Sequence, residues 1–198
     1  MGIVSGIAQP NLPTAPLSYE RAYQDQFSNT LRLFFSSITN ELNAPIPHAS
    51  YYDTNTQTNP VADTVNLFTY NSVVSQFRVQ RGSPTSKIYV ADTGLYNFQF
   101  SAQLDKTGGS ASAVYIWPRV NGVSVPNSAT KMVIDGPNSE VVASWNFLIP
   151  LEAGSYFELA WQSSDTNVVI AADAASGNIP AIPSIIMTVT WVSSYRPD

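Results

Sequence analysis

The residue best equipped for chemistry in this chain is His48, the one histidine among 198 residues. A Ser-His-Asp relay needs an imidazole held by a carboxylate and aimed at a hydroxyl. His48 falls instead in the run Ala44-Pro45-Ile46-Pro47-His48-Ala49, where two prolines fix φ and remove backbone donors, so an ordinary extended connector is expected. A single imidazole also excludes any site that needs two. The sequence has no cysteine, which excludes thiol nucleophiles, disulfides, Cys-ligated zinc and iron–sulfur clusters. Three acid–amide pairs, Asp53 with Asn55, Asp135 with Asn138 and Asp165 with Asn167, have the spacing of turns capped by their own side chains. None has the ligand density of a calcium loop. Glycoside hydrolysis would need two carboxylates facing each other across a groove, and the acidic residues here are scattered. Tyr51, Tyr52, Tyr115, Trp117 and Trp161 could stack on a sugar, although large aromatics in a β-domain usually serve the core or an interface. The expectation is a protein with no catalytic residue, no cofactor and no metal.

Composition points to the elements that would carry these residues. Only 12% of the chain is charged, and serine, threonine, asparagine and glutamine together supply 63 of its 198 residues. Such residues favour turns and pleated surfaces over helix interiors, so the body is expected to be mainly β. The net charge is −5, and the three lysines do not cluster, which removes the electrostatic footprint of a nucleic-acid binder. No stretch reaches the ~18 apolar residues of a membrane span, and the start has neither the basic region nor the apolar run of an export signal. Met1-Gly2 is not read as a myristoylation signal, because position 6 is Gly6 and not Ser or Thr.

Along the chain, Pro10, Pro13 and Pro16 predict an extended arm over residues 1–17. No Pro or Gly then occurs from Ser18 to Asn43, and Tyr19, Tyr23, Phe27, Leu31, Phe34, Ile38 and Leu42 recur at steps of four, four, four, three, four and four. That is the stripe of one long amphipathic helix, with Ser18 as N-cap and Pro45 preventing continuation. Arm and helix, residues 1–45, are expected to attach the protein to something else. Phe27, Leu31, Phe34, Phe35 and Ile38 form the attachment interface. Whether the stripe packs on the chain's own sheet, on copies of itself or on another protein stays open, and its drift from a seven-residue repeat argues against a free-standing coiled coil.

Residues 46–85, broken by three prolines, are expected to be a transition segment with short strands. From 86 to 198 period-2 alternation dominates. Tyr96, Phe98 and Phe100 alternate with Asn97, Gln99 and Ser101; Ala143, Trp145, Phe147 and Ile149 follow, then Phe157, Leu159 and Trp161. Lys106-Thr107-Gly108-Gly109-Ser110, Asn121-Gly122, Gly136-Pro137-Asn138 and Ala153-Gly154 supply turns between them. Ile185 to Val192 is apolar enough to be central in its sheet. The tips holding Asp105, Lys106, Asp135 and Asn138 are the candidate recognition loops, since loops on a rigid sandwich vary without disturbing the core.

Four segments carry a resemblance: Gly94-Leu95-Tyr96-Asn97-Phe98, Arg119-Val120-Asn121-Gly122, Leu151 through Leu159, and the closing strand Ile185 to Val192. Together they resemble the trimeric jelly roll of the C1q and tumour-necrosis-factor superfamily as it occurs in tailed-bacteriophage virion proteins. The resemblance covers about residues 86–194, with Ser155 standing where the family often has Asp. The portion from Leu12 through Phe35 is similar to a segment preceding such jelly rolls in marine and cyanobacterial phage structural proteins. The resemblance implies a non-enzymatic virion protein made in the host cytoplasm, a homotrimer whose partners are other tail or capsid proteins. A tail fibre, adaptor or similar appendage is the first expectation and a capsid decoration protein the second. A carbohydrate-binding module that recognises a host surface glycan is a third, and a polysaccharide depolymerase comes last.

Overall fold

The computed structural model describes residues 8–194, and the chain falls into two units, Met1–Ile46 and Pro47–Asp198. In the first, residues 8–20 carry no helix or strand, and α1 (Arg21–Leu42) follows as 22 residues, about 33 Å long. The helix begins later than Ser18, which therefore does not cap it. The first intrahelical bond runs from Gln24 N–H to the carbonyl of Glu20 (3.2 Å), and Tyr19, 80% exposed, drops off the stripe. At the other end Asn43 N–H still reaches Thr39 O at 3.1 Å. Residues 1–7 of the expected arm and the Leu42 side chain lie outside the described residues.

The second unit contains β1 (His48–Asp53), β2 (Gln57–Thr58), β3 (Asn66–Leu67), β4 (Ser72–Phe77), β5 (Val79–Arg81), β6 (Ile88–Val90), β7 (Gly94–Lys106), β8 (Ser112–Val120), β9 (Val123–Ser124), β10 (Thr130–Ile134), β11 (Ser139–Leu151), β12 (Tyr156–Ser163), β13 (Val168–Ile170) and β14 (Ile185–Ser193). One sheet runs β4-β1-β14-β7-β11, with β13 and β2 continuing beside the far end of β7. The other runs β5-β6-β12-β8-β10, with β3 beside β12 and β9 beside β8. Every pairing is antiparallel, and consecutive strands repeatedly change sheet, the connectivity of a jelly roll. The mainly β jelly-roll architecture expected from the sequence is the observed one.

From residue 47 onward the expected transition segment 46–85 is part of this sandwich. It supplies β1 to β5, and β1 lies between β14 and β4. The strand was hidden because its inward positions are Ala49, Tyr51 and Asp53, an alternation of small, aromatic and charged residues. Asp53 is buried because its oxygens are used: Oδ1 accepts from Asn55 N–H at 2.9 Å and Oδ2 from the Thr69 hydroxyl at 3.0 Å. His48 opens β1, with Nε2 3.1 Å from Ser75 Oγ and its ring against Phe77, so it is a strand residue and not a connector. At Arg78 the backbone turns to φ 56° between β4 and β5, and the chain leaves the first sheet for the second. Its guanidinium grips the buried Asp92 carboxylate through two donors, which secures the corner.

The inward faces meet in an aromatic layer. Phe98 of β7 stacks on Phe157 of β12 with centroids 3.8 Å apart and planes 9° from parallel. Around them Tyr96, Phe100, Phe68 and Trp161 are fully buried, and Tyr96 and Tyr51 direct their hydroxyls to backbone carbonyls of Asp92 (2.8 Å) and Val79 (2.9 Å). Burial pushes both phenols up to about 12. Gly94 is required by close approach: a Cβ there would meet the Trp191 indole nitrogen at 2.1 Å. Asn121 and Gly122, at φ 50° and 80°, make the tight hairpin from β8 to β9 that their sequence predicts.

Removing the stacked ring should be costly. Phe98→Ala is expected to lower stability by about 3–5 kcal/mol in urea unfolding, while Thr190→Ser on the opposite face of the same sheet stays within about 0.5 kcal/mol.

Candidate functional site

The expected recognition tips divide into one that is closed and one that is open. Asp105 and Lys106 are the last residues of β7, not loop residues, and both are paired, Asp105 opposite Glu140 and Val169, Lys106 opposite Ser139 and Val168. Lys106 is fully buried, so its side chain is not available to a partner at the surface. The sequence placed it at a tip because it precedes Gly108-Gly109. The chain stays extended two residues longer because the Lys106 ammonium finds a counter-ion inside. Nζ pairs with Asp165 Oδ2 and donates to Ser112 Oγ at 2.8 Å. Asp135 and Asn138 lie in the turn joining β10 to β11 and are exposed, with Asn138 at φ 62° and its N–H bonded to the Lys106 carbonyl at 2.8 Å.

Asp165 also makes the turn expected of it, accepting from the backbone and side-chain nitrogens of Asn167 at 2.9 and 2.8 Å. The Lys106 ammonium, then the Asn167 N–H, hold its carboxyl well below the usual 3.8. The other buried carboxylates are equally committed: Asp92 to Arg78, Asp53 to its turn, and Glu158 to Arg119 at 3.9 Å and the Ser86 hydroxyl at 3.3 Å. Among the described residues no cluster of His, Asp or Glu has the make-up of a metal site.

Of the aromatic candidates, Tyr51 and Trp161 are core residues, and Tyr52 is on the outward face of the first sheet. Tyr115 and Trp117 lie on the outward face of β8, where alternation with buried Val114 and Ile116 puts them. On α1, Phe27, Leu31, Phe34 and Ile38 are half-buried and Phe35 is 59% exposed; none of the five is enclosed. Tyr23 stacks on Phe27 at 6.1 Å and Phe34 lies tilted against Phe35 at 5.8 Å, so the stripe is organised within its own helix.

Sequence reasoning missed the outward face of the first sheet. Across β1, β14, β7 and β11 it reads in rows: Ser50, Thr188, Gln99, Asn146; Tyr52, Ile186, Ser101, Ser144; His48, Thr190, Asn97, Leu148. Asn146 Nδ2 donates to Asn97 Oδ1 at 2.9 Å, and an apolar hollow of about 780 Å³ lies at one end, lined by Tyr52, Val74, Ile182, Pro183 and Ile186. The signal was present as Asn97, Gln99 and Ser101, the uncharged partners of the aromatic alternation, but which strands flank them depends on sheet order.

The buried Lys106–Asp165 pair generates an asymmetric prediction. Asp165→Asn strands a buried ammonium and is expected to cost about 3 kcal/mol in urea unfolding at pH 7, whereas Lys106→Met leaves a carboxylate that water still reaches and should cost less than half as much. Because the folded protein holds Asp165 below its usual 3.8, the stabilisation is complete above that value and is lost as pH falls toward the folded-state value. The wild-type midpoint should therefore drop on the acid side of that value, and Asp165→Asn should flatten the drop.

Neither a family model nor a curated protein matches the chain. Among solved structures, the globular domain of zebrafish complement 1qA protein is similar, with a TM-score of 0.46 and 12% sequence identity, covering 75% of this chain and 99% of that one.

Proposed function

We propose that the protein is a non-enzymatic structural component of a bacteriophage virion, homotrimeric through the outward face of the first sheet and fixed to the particle by its N-terminal arm and helix, as a tail fibre, adaptor or similar appendage. The observation that carries the reading is that uncharged face. A sheet face left to solvent ordinarily carries lysine, glutamate, arginine and aspartate, whereas the centre of a protein interface is depleted of them. Here the rows between Leu95 and Ser101 hold amides, hydroxyls, the His48 imidazole, Ile186 and Leu148, with the mostly apolar hollow beside them, where Asp173 is the one acid in the lining, for a neighbouring copy to fill. The resemblance of the four sequence segments to trimeric virion jelly rolls supports the same choice of partner. The helix supports attachment, because a stripe of Phe27, Leu31, Phe34 and Ile38 that is nowhere enclosed has an apolar face to offer another virion protein.

Light scattering across a size-exclusion peak should give a mass three times the 21.5 kDa chain. Gln99→Glu together with Thr188→Asp, which add charge to the face without touching the core, should return the single-chain mass with an unchanged circular dichroism spectrum. A single-chain mass for the wild type at all concentrations, or a trimer indifferent to those charges, would overturn the interface.

Attachment is read separately. Deleting residues 1–45 should leave a folded β unit that no longer joins particles, since the chain from Pro47 onward forms a compact unit by itself. Incorporation of the truncated protein at normal occupancy would remove the attachment role.

A further inference from the structure

The outward face of the second sheet carries a groove that neither the helix nor the uncharged face accounts for. Its floor is β8 and β12, where the inward turn of Val114, Ile116 and Trp161 leaves Tyr115, Trp117 and Gln162 on the other side. Its rim comes from Asp63 and from residues 124–129, and it encloses about 870 Å³, within the ~300–1,000 Å³ usual for ligand clefts.

The groove is built before any ligand arrives. The Trp117 indole N–H donates to Ser124 Oγ at 3.0 Å, which fixes the ring on the sheet. Ser128 donates to the Val125 carbonyl at 2.7 Å, and Val125 N–H to the Pro118 carbonyl at 3.1 Å, so the rim is tied to β8. Asn127 and Asp63 both sit at φ 57°, positions that asparagine and aspartate tolerate better than other side chains. The side chains of Asp63, Asn127 and Gln162, by contrast, have no hydrogen bond to any described residue. Two amides and a carboxylate thus stand uncommitted around two aromatic rings.

Charge narrows the ligand. Asp63 is the one charged residue lining the groove, and Lys131 stands 5.8 Å from the Tyr115 ring centroid. A phosphate-bearing strand would need several cations here. A sugar ring needs none: its C–H face packs on an aromatic ring, and each hydroxyl both donates and accepts, matching amides and a carboxylate. We propose that this groove binds an uncharged saccharide, stacked on Trp117 and Tyr115, with its hydroxyls bonded to Asp63, Asn127 and Gln162. The site lies on the sheet opposite the proposed trimer face, so it stays open in the assembly and its test is independent of assembly.

The test is titration of the full chain with linear, uncharged hexasaccharides of glucose, galactose, mannose and N-acetylglucosamine, followed by tryptophan fluorescence and calorimetry. At least one should bind in the micromolar-to-millimolar range. Asn127→Gly, which keeps the backbone conformation, and Gln162→Ala should each weaken it about fivefold, the loss of one neutral hydrogen bond. Trp117→Ala should abolish binding while leaving the trimer mass unchanged, and Glu152→Gln, in the exposed turn after β11, should alter nothing. Absence of binding by every hexasaccharide, binding that survives Asn127→Gly with Gln162→Ala, or binding only of sulfated or phosphorylated sugars would each overturn the proposal.

Discussion

The contact between Phe98 and Phe157 sets the terms for everything else in the sandwich. Two rings 3.8 Å apart and nearly parallel, one from each sheet, leave no room for water between β7 and β12 or for either strand to turn its other face inward. In a strand a slip of one residue would turn every side chain over. Once Phe98 faces inward, Tyr96, Phe100, Ala102 and Leu104 do so as well, and Asn97, Gln99, Ser101 and Gln103 must face out. The same step on β12 buries Leu159 and Trp161 and turns Gln162 outward toward the groove. Both surfaces to which a partner could come are therefore consequences of one packing choice made between the sheets.

With so little charge available, the fold places what it has where the chain changes direction. Arg78 with Asp92 holds the crossing from β4 to β5, Arg119 with Glu158 ties β8 to β12, and Lys106 with Asp165 closes the far end of β7. A buried ion pair adds little net stability when complete, because desolvation offsets attraction, but half of one is expensive. Such pairs act as markers of correct connectivity: only the native arrangement leaves none of these groups alone.

Legibility in the sequence followed the chemistry of each strand. Tyr96 to Phe100, Phe157 to Trp161 and Ile185 to Val192 announced themselves because large apolar residues alternate there, and all were found as strands. The helix was equally plain, except at its start, where Ser18 could cap but the hydrogen bonds begin at Glu20. Strand β1 was not legible, since Ala49 and Asp53 are inward for reasons that appear only once Asn55 and Thr69 are placed around the carboxylate. Lys106 misled for the same reason: its partner is 59 residues away in sequence. The groove drew Tyr115 and Trp117 from one strand, but Asp63, Asn127 and Gln162 reach it from three separate stretches, and no spacing rule connects them.

The pairing of β1 with β14 has a mechanical side. His48 lies opposite Thr190 and Asp53 opposite Ile185, so the chain enters the sandwich and leaves it at the same end, while Lys106, Ser139 and the 173–182 hairpin bridges lie toward the other. A pull on residue 47 against anything held at that distal end runs along the axis of β1. Its ladder bonds to β14 and β4 stand perpendicular to that axis. They are loaded in shear, side by side, and must give way together, whereas a pull that separated residues 47 and 193 would open the same ladder one rung at a time.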